Sequence, residues 1–130
     1  MRLFSRDIQE GIAEIMHETP KSLFFGEDVV DPYGGAFGIS RGLSTLFPDR
    51  VFNTPISEAG IVGFSHVLAS EGNSIFLELM FGDFSLLALD QIHNNISKVL
   101  AMGEQVIPLI IRTPMGGYRG YGPTHSQTLT

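Results

Sequence analysis

The chain has 130 residues, 43% of them hydrophobic, with 8 basic and 14 acidic side chains for a net charge of −6, and no cysteine. That length is enough for one domain with a core of its own. The acidic balance, without any basic stripe, argues against nucleic acid as a partner. The missing cysteines exclude disulfides, thiolate metal sites and a cysteine nucleophile, and no apolar run approaches the roughly 18 residues of a membrane span.

The N-terminus, MRLFSRDIQEG, has no apolar signal core, so the chain reads as a cytoplasmic protein. Ile8, Ile12, Ile15 and Met16 fall on one face at helical spacing, with Asp7 and Glu10 in the first turn, and Pro20 stops that helix. "SLFF", residues 22–25, reads as a short buried strand followed by the acids of "GED". "DPYGGAFG" (31–38) is loop chemistry, "ISRGLSTLFP" a short helix closed by Pro48, and "RVFNTP" a strand cut off by Pro55. "SEAGIVGFSHVLASEG" predicts a helix over about 57–70, and "SIFLELMF" a third strand apolar on both faces. "SLLALDQIHNNISKVLAMG" carries the clearest helical pattern: Leu86, Leu89, Ile92, Ile96, Val99 and Leu100 share a face, and Gly103 follows as a C-cap. "VIPLIIR" is a fourth strand. A long Gly- and Pro-rich stretch, "RTPMGGYRGYGPTHSQ", then runs to Gln127.

Helices that alternate with short strands, apolar on both faces, imply an α/β domain: a mostly parallel sheet with helices on both faces. Ligands of such folds collect beyond the carboxyl ends of the strands. The segments placed there are "GED", "NTPISE", "FGDF" and the Gly-rich stretch. Glu58 stands at a strand-to-helix junction. It is either a helix N-terminal acid favoured by the macrodipole, with Ser57 as cap, or a carboxyl group poised on a ligand. His125 lies in a loop rather than on a helix face, and is either a solvated side chain or an acid–base group. His66 and His93 lack partners at metal-ligand spacing, and no metal site is expected. Gly82-Asp83-Phe84 with Asn94-Asn95 imitates a metal-diphosphate motif, but its third glycine is missing and its spacing far too short. No phosphate-binding glycine loop or serine-hydrolase elbow occurs. A loop-rich end is expected to be covered by a partner, or to belong to something longer.

Taken together, "FGEDVVDPYGGAFGISRGL", "RVFNTPISEAGIVGF", "LELMFGDFSLLALDQIHNNISK" and "IIRTPMGGYRGYGPTHSQ" resemble the β-subunit of the thiamine-diphosphate-dependent 2-oxo acid dehydrogenases, over nearly the whole chain and in order. The matching region is the pyrimidine-binding domain shared with transketolase. The resemblance implies that residues 1–130 are one such domain, incomplete at its C-terminal end and without the family's second domain. It implies that Glu58 hydrogen-bonds the aminopyrimidine ring of thiamine diphosphate and favours its imino tautomer. It implies that His125 reaches the reacting carbonyl or assists acyl transfer, that Phe84 stacks near the ring, that Ile56 and Met80 line the ring pocket, and that Glu27 lies close to the cofactor. The diphosphate and Mg²⁺ would be held by an α-type partner subunit. A second copy of the chain and a lipoyl-bearing acyltransferase are the further partners implied. "FGDF" and "SHVLASEGNS" depart from the family's commoner "FADF" and "GLALAGLRP", which leaves the substrate class open. The competing reading is a non-catalytic assembly fragment that keeps the fold.

Overall fold

The computed structural model describes residues 4–103, 106–117 and 120–129. Helix α1 (Phe4–Glu18) leads into β1 (Ser22–Gly26); a single 3-10 turn at Ala36–Gly38 and the short α2 (Leu43–Leu46) follow, then β2 (Val51–Asn53), α3 (Glu58–Ser70) and β3 (Ser74–Glu78). A broken helical segment ends in α4 (Ser97–Met102), and β4 is Leu109–Arg112. The four strands are all parallel, in the order β2-β1-β3-β4. No helix among the described residues is long and apolar enough to cross a membrane.

The side chains of each strand alternate between two layers. Phe24 and Phe76 pack with Val51, with Ile12 and Met16 of α1 and with Leu43 of α2. Phe25, Ile75 and Leu77 pack on the opposite face with Ile61, Val62 and Ala69 of α3 and with Ala88 and Ile96. Both faces are therefore covered, as a parallel sheet requires and as the apolar strands predict. From β1 the chain steps to β2 at one edge, and from β3 it steps to β4 at the other. The gap between β1 and β3 is thus the topological switch point, where the loops leave in opposite directions and open a crevice at the carboxyl ends. The two strands approach closely there. A Cβ at Gly26 would run into the backbone carbonyl of Glu78, so only glycine closes the ladder at that point.

The expected long helix at 85–103 is helical through Met102 but irregular. Residues Gly82–Ala88 form a 3-10 segment, Leu89 and Asp90 are α-helical, Gln91–Ile96 form a π-helical turn, and Ser97–Met102 return to α-helix. The tighter and wider turns change the phase of the pattern. Ala88 and Ile96 are buried, whereas Leu86, Leu89 and Leu100 are exposed rather than sharing the inner face. Gly103 follows α4 in an extended conformation, not the left-handed one of a glycine cap, and its N–H still bonds to the Val99 carbonyl at 3.1 Å. The short helix expected near residue 40 shrinks to one turn, because Gly38 and Gly42 both take left-handed φ.

Beneath the crevice lies a buried ion pair. Glu78 is fully buried at the end of β3, and both carboxylate oxygens accept from the Arg112 guanidinium on the adjoining end of β4. Burial pushes the Glu78 carboxyl up to about 7, against the opposing pull of Arg112.

Candidate functional site

Backbone hydrogen bonds continue past the ends of the strands. Thr54 N–H donates to the Gly26 carbonyl (2.9 Å), Leu79 N–H to the Arg112 carbonyl (2.9 Å) and Gly82 N–H to the Pro114 carbonyl (2.8 Å). These bonds carry sheet-like order past the strands, so the residues beyond them are held rather than loose. Among the described residues, the buried side-chain atoms without a hydrogen-bond partner include Glu27 Oε1, Thr54 Oγ1, Asp83 Oδ2, Thr113 Oγ1 and Ser126 Oγ. All five belong to the segments that follow the carboxyl ends. Buried polar groups in native proteins are nearly always satisfied, so unpartnered oxygens such as Glu27 Oε1 at this end of the sheet are candidates to meet a polar ligand.

Glu27 and Glu58 meet in this crevice. Glu27 follows β1 directly and is buried. Glu58 is the first residue of α3 and is 7% exposed. Ser57 occupies the N-cap position but makes no side-chain capping bond, so the helix start is not organised around it. Burial holds the Glu27 carboxyl above its ordinary value. The Glu58 carboxylate adds to that effect, and so does Asp28, while the N–H groups of Met80 and Ser57 pull the other way. Two buried carboxyl groups side by side, one of them shifted toward its neutral form, offer hydrogen-bonding oxygens to a polar ligand.

The other half of the site is aromatic. The His125 imidazole is met edge-to-face by Phe81 (centroids 4.9 Å apart) and by Phe84 (5.2 Å). Phe81 also touches Phe84 and Tyr121, each at 5.7 Å. His125 Nδ1 lies 2.7 Å from Thr124 Oγ1, and Gln127 N–H donates to Asp83 Oδ1 at 3.3 Å, tying the loop back to the segment after β3. Fixed by rings and tethered at its end, His125 is not a freely solvated side chain.

The structure thus brings Glu27, Glu58 and the Met80 backbone together, and separately brings Phe84 onto His125. Ile56 is 80% exposed. Among the described residues, no cluster of three or more His, Asp and Glu side chains could hold a metal ion. Phe81, Met115 and Tyr121 were not expected at the site. Phe81 read as the last apolar residue of a strand, and nothing in the spacing of the Gly-rich stretch marks Met115 or Tyr121.

The model of the transketolase pyrimidine-binding domain matches residues 4–129. A 2-oxoisovalerate dehydrogenase subunit beta 2 of Arabidopsis thaliana is 40% identical over 98% of the chain, which covers 36% of that protein. The pyruvate dehydrogenase E1 component subunit beta of Homo sapiens is 37% identical over 92% of the chain and 34% of its own length. The chain therefore spans about a third of the curated relatives it matches. Among solved structures, a split gene transketolase, described as an inactive beta4 tetramer, superposes with a TM-score of 0.66 at 20% identity, covering 85% of the chain and 33% of its own. That likeness establishes the α/β fold.

Proposed function

Because the chain belongs to the transketolase pyrimidine-binding domain family, we propose that it holds the aminopyrimidine end of thiamine diphosphate and forms the β-type half of a 2-oxo acid dehydrogenase-like or transketolase-like enzyme. The observation that carries this reading is the Glu27–Glu58 pair at the switch point. The residues present fit the group. A flat, polar heterocycle needs donors and acceptors along its edge and apolar walls on its faces. The crevice offers an unpartnered Glu27 Oε1, the Glu58 carboxyl, and the rings of Phe84 and Phe81. When bound, thiamine diphosphate supplies the carbon nucleophile and electron sink for cleaving a bond next to a carbonyl.

Each residue then has a task of its own. Glu58 shares a proton with a ring nitrogen from the first turn of α3. Glu27, whose carboxyl burial holds above its ordinary value while the N–H groups of Met80 and Ser57 pull it down, lies beside it as a second hydrogen-bonding group for the ring edge. Phe84 walls the ring pocket and at the same time holds His125. His125 exchanges a proton with the substrate's oxygen, a task that an imidazole suits near neutral pH. We assign the diphosphate and Mg²⁺ to an α-type partner subunit, with a second copy of this chain completing a heterotetramer and a lipoyl-bearing acyltransferase receiving the acyl group.

His125→Ala in the complex with its α-type partner tests the division of labour. Cofactor affinity and proton exchange at the thiazolium carbon should stay near the parent's. Decarboxylation or acyl transfer should fall by roughly 10² to 10⁴, the span of a positioned acid–base group. Full activity in the variant would return His125 to a purely structural role.

A further inference from the structure

We infer that Gly82 and Met115 set the size of an apolar subsite beside His125, and that this subsite receives the hydrocarbon side chain of a 2-oxo acid; the inference rests on the reading above. A cavity of about 90 Å³ lies between Phe37, Phe81, Pro114, Met115, Tyr121 and His125. It has room for several heavy atoms. Its side-chain walls are mostly aromatic and aliphatic, with the backbone of Gly116 and the His125 imidazole among the rest. A charged substituent would lose its hydration there without a matching countercharge, whereas a hydrocarbon chain gains from burial.

Gly82 explains why Met115 lies where it does. Its φ is outside the left-handed region, so the backbone itself would accept a side chain. Space is what forbids one. A Cβ at residue 82 would run into Met115 Cγ and stand 3.1 Å from Cε and 3.2 Å from Sδ. Met115 is folded over the bare backbone of residue 82, and the Gly82 N–H to Pro114 carbonyl bond fixes that closeness. Methionine is unbranched and adjustable, so Met115 is the movable wall of the cavity. The opposite wall is Phe37. Phe37 takes left-handed φ 61°, ψ 19°, a costly conformation for a bulky residue and of the kind that gathers at functional sites. Shortening Met115 enlarges the subsite, and adding a methyl at residue 82 pushes Met115 into it.

Two measurements test this. In spectra of the full chain labelled with methyl-¹³C methionine, the Met115 signal, assigned through Met115→Leu, should move on addition of 3-methylbutanoate and not of acetate. Gly82→Ala should abolish the response. In the complex, the ratio of kcat/KM for 4-methyl-2-oxopentanoate to that for pyruvate should rise about tenfold or more in Met115→Ala and fall by a similar factor in Gly82→Ala, within the range a few methylenes command in an apolar pocket. A Met115 signal indifferent to both acids, or a ratio unchanged in both variants, overturns the inference. A complex that turns over no 2-oxo acid, with Met115 still responding to the branched acid, defeats the proposed activity and leaves the apolar subsite standing.

Discussion

Glu58→Gln in the assembled complex is expected to slow proton exchange at the thiazolium carbon by roughly 10² to 10⁴ while leaving the fold and most of the cofactor affinity intact. Gln has the shape of Glu, so the start of α3 and the packing of Ile61 and Val62 behind it should be undisturbed. What disappears is the ability of the residue to share a proton with the ring. Glu58 is 7% exposed, so bulk water has little access to take over that task. Hydrogen–deuterium exchange followed by quenched NMR measures the step directly. Together with His125→Ala it gives a crossed pattern: the first variant loses cofactor activation, the second loses substrate chemistry. A Glu58→Gln complex that exchanges at the parent rate would remove Glu58 from the mechanism.

The second large effect is on stability. Arg112→Met should cost about 3–5 kcal/mol near pH 8, since it strips a fully buried Glu78 of its guanidinium partner. The cost should shrink as pH falls, because the Glu78 carboxyl is pushed up to about 7 in the folded chain and a neutral acid tolerates burial. The parent should show the matching trend. A carboxyl whose folded value is raised binds its proton more tightly than in the unfolded chain. Its contribution to stability is therefore complete below the ordinary value of 4.5 and is lost as pH rises to about 7, a change of about 3 kcal/mol. Urea denaturation across pH 5–8 measures both trends. Replacing the pair by Glu78→Leu with Arg112→Met should restore much of the lost stability and flatten the pH dependence. A single variant equally costly at pH 5 and pH 8 would show that packing of the arginine stem, not charge, is what matters.

The sheet and its covering helices were legible because their signals are local. Ile8, Ile12 and Met16 repeat at helical spacing and meet the sheet as that spacing implies. The doubly apolar strands likewise announce burial on both faces. The segment 82–102 is helical as expected but irregular: its 3-10 stretch and π-helical turn leave no periodic mark in the residues themselves, and Leu86 and Leu89 lie at the surface. Glu58, Glu27, Phe84 and His125 were nameable through family resemblance, but their mutual arrangement was not. Glu27 and Glu58 are separated by a 3-10 turn, α2 and β2, and the parallel pairing of β1 with β2 and β3 brings the strand ends together. Phe81 and Met115 were invisible for a different reason. Their roles come from side-chain contacts with His125 and Gly82, which no spacing rule encodes.

The central claim is that Glu27 and Glu58 hold the aminopyrimidine ring. The most direct measurement is ¹⁵N NMR of thiamine diphosphate, labelled at the ring nitrogens and bound to the complex. The account predicts that one ring nitrogen shifts far from its free-cofactor value, as expected of a nitrogen sharing a proton with a carboxyl group, and that the shift is lost in Glu58→Gln. Ring nitrogens that keep their free-cofactor shifts in the bound parent complex would contradict it.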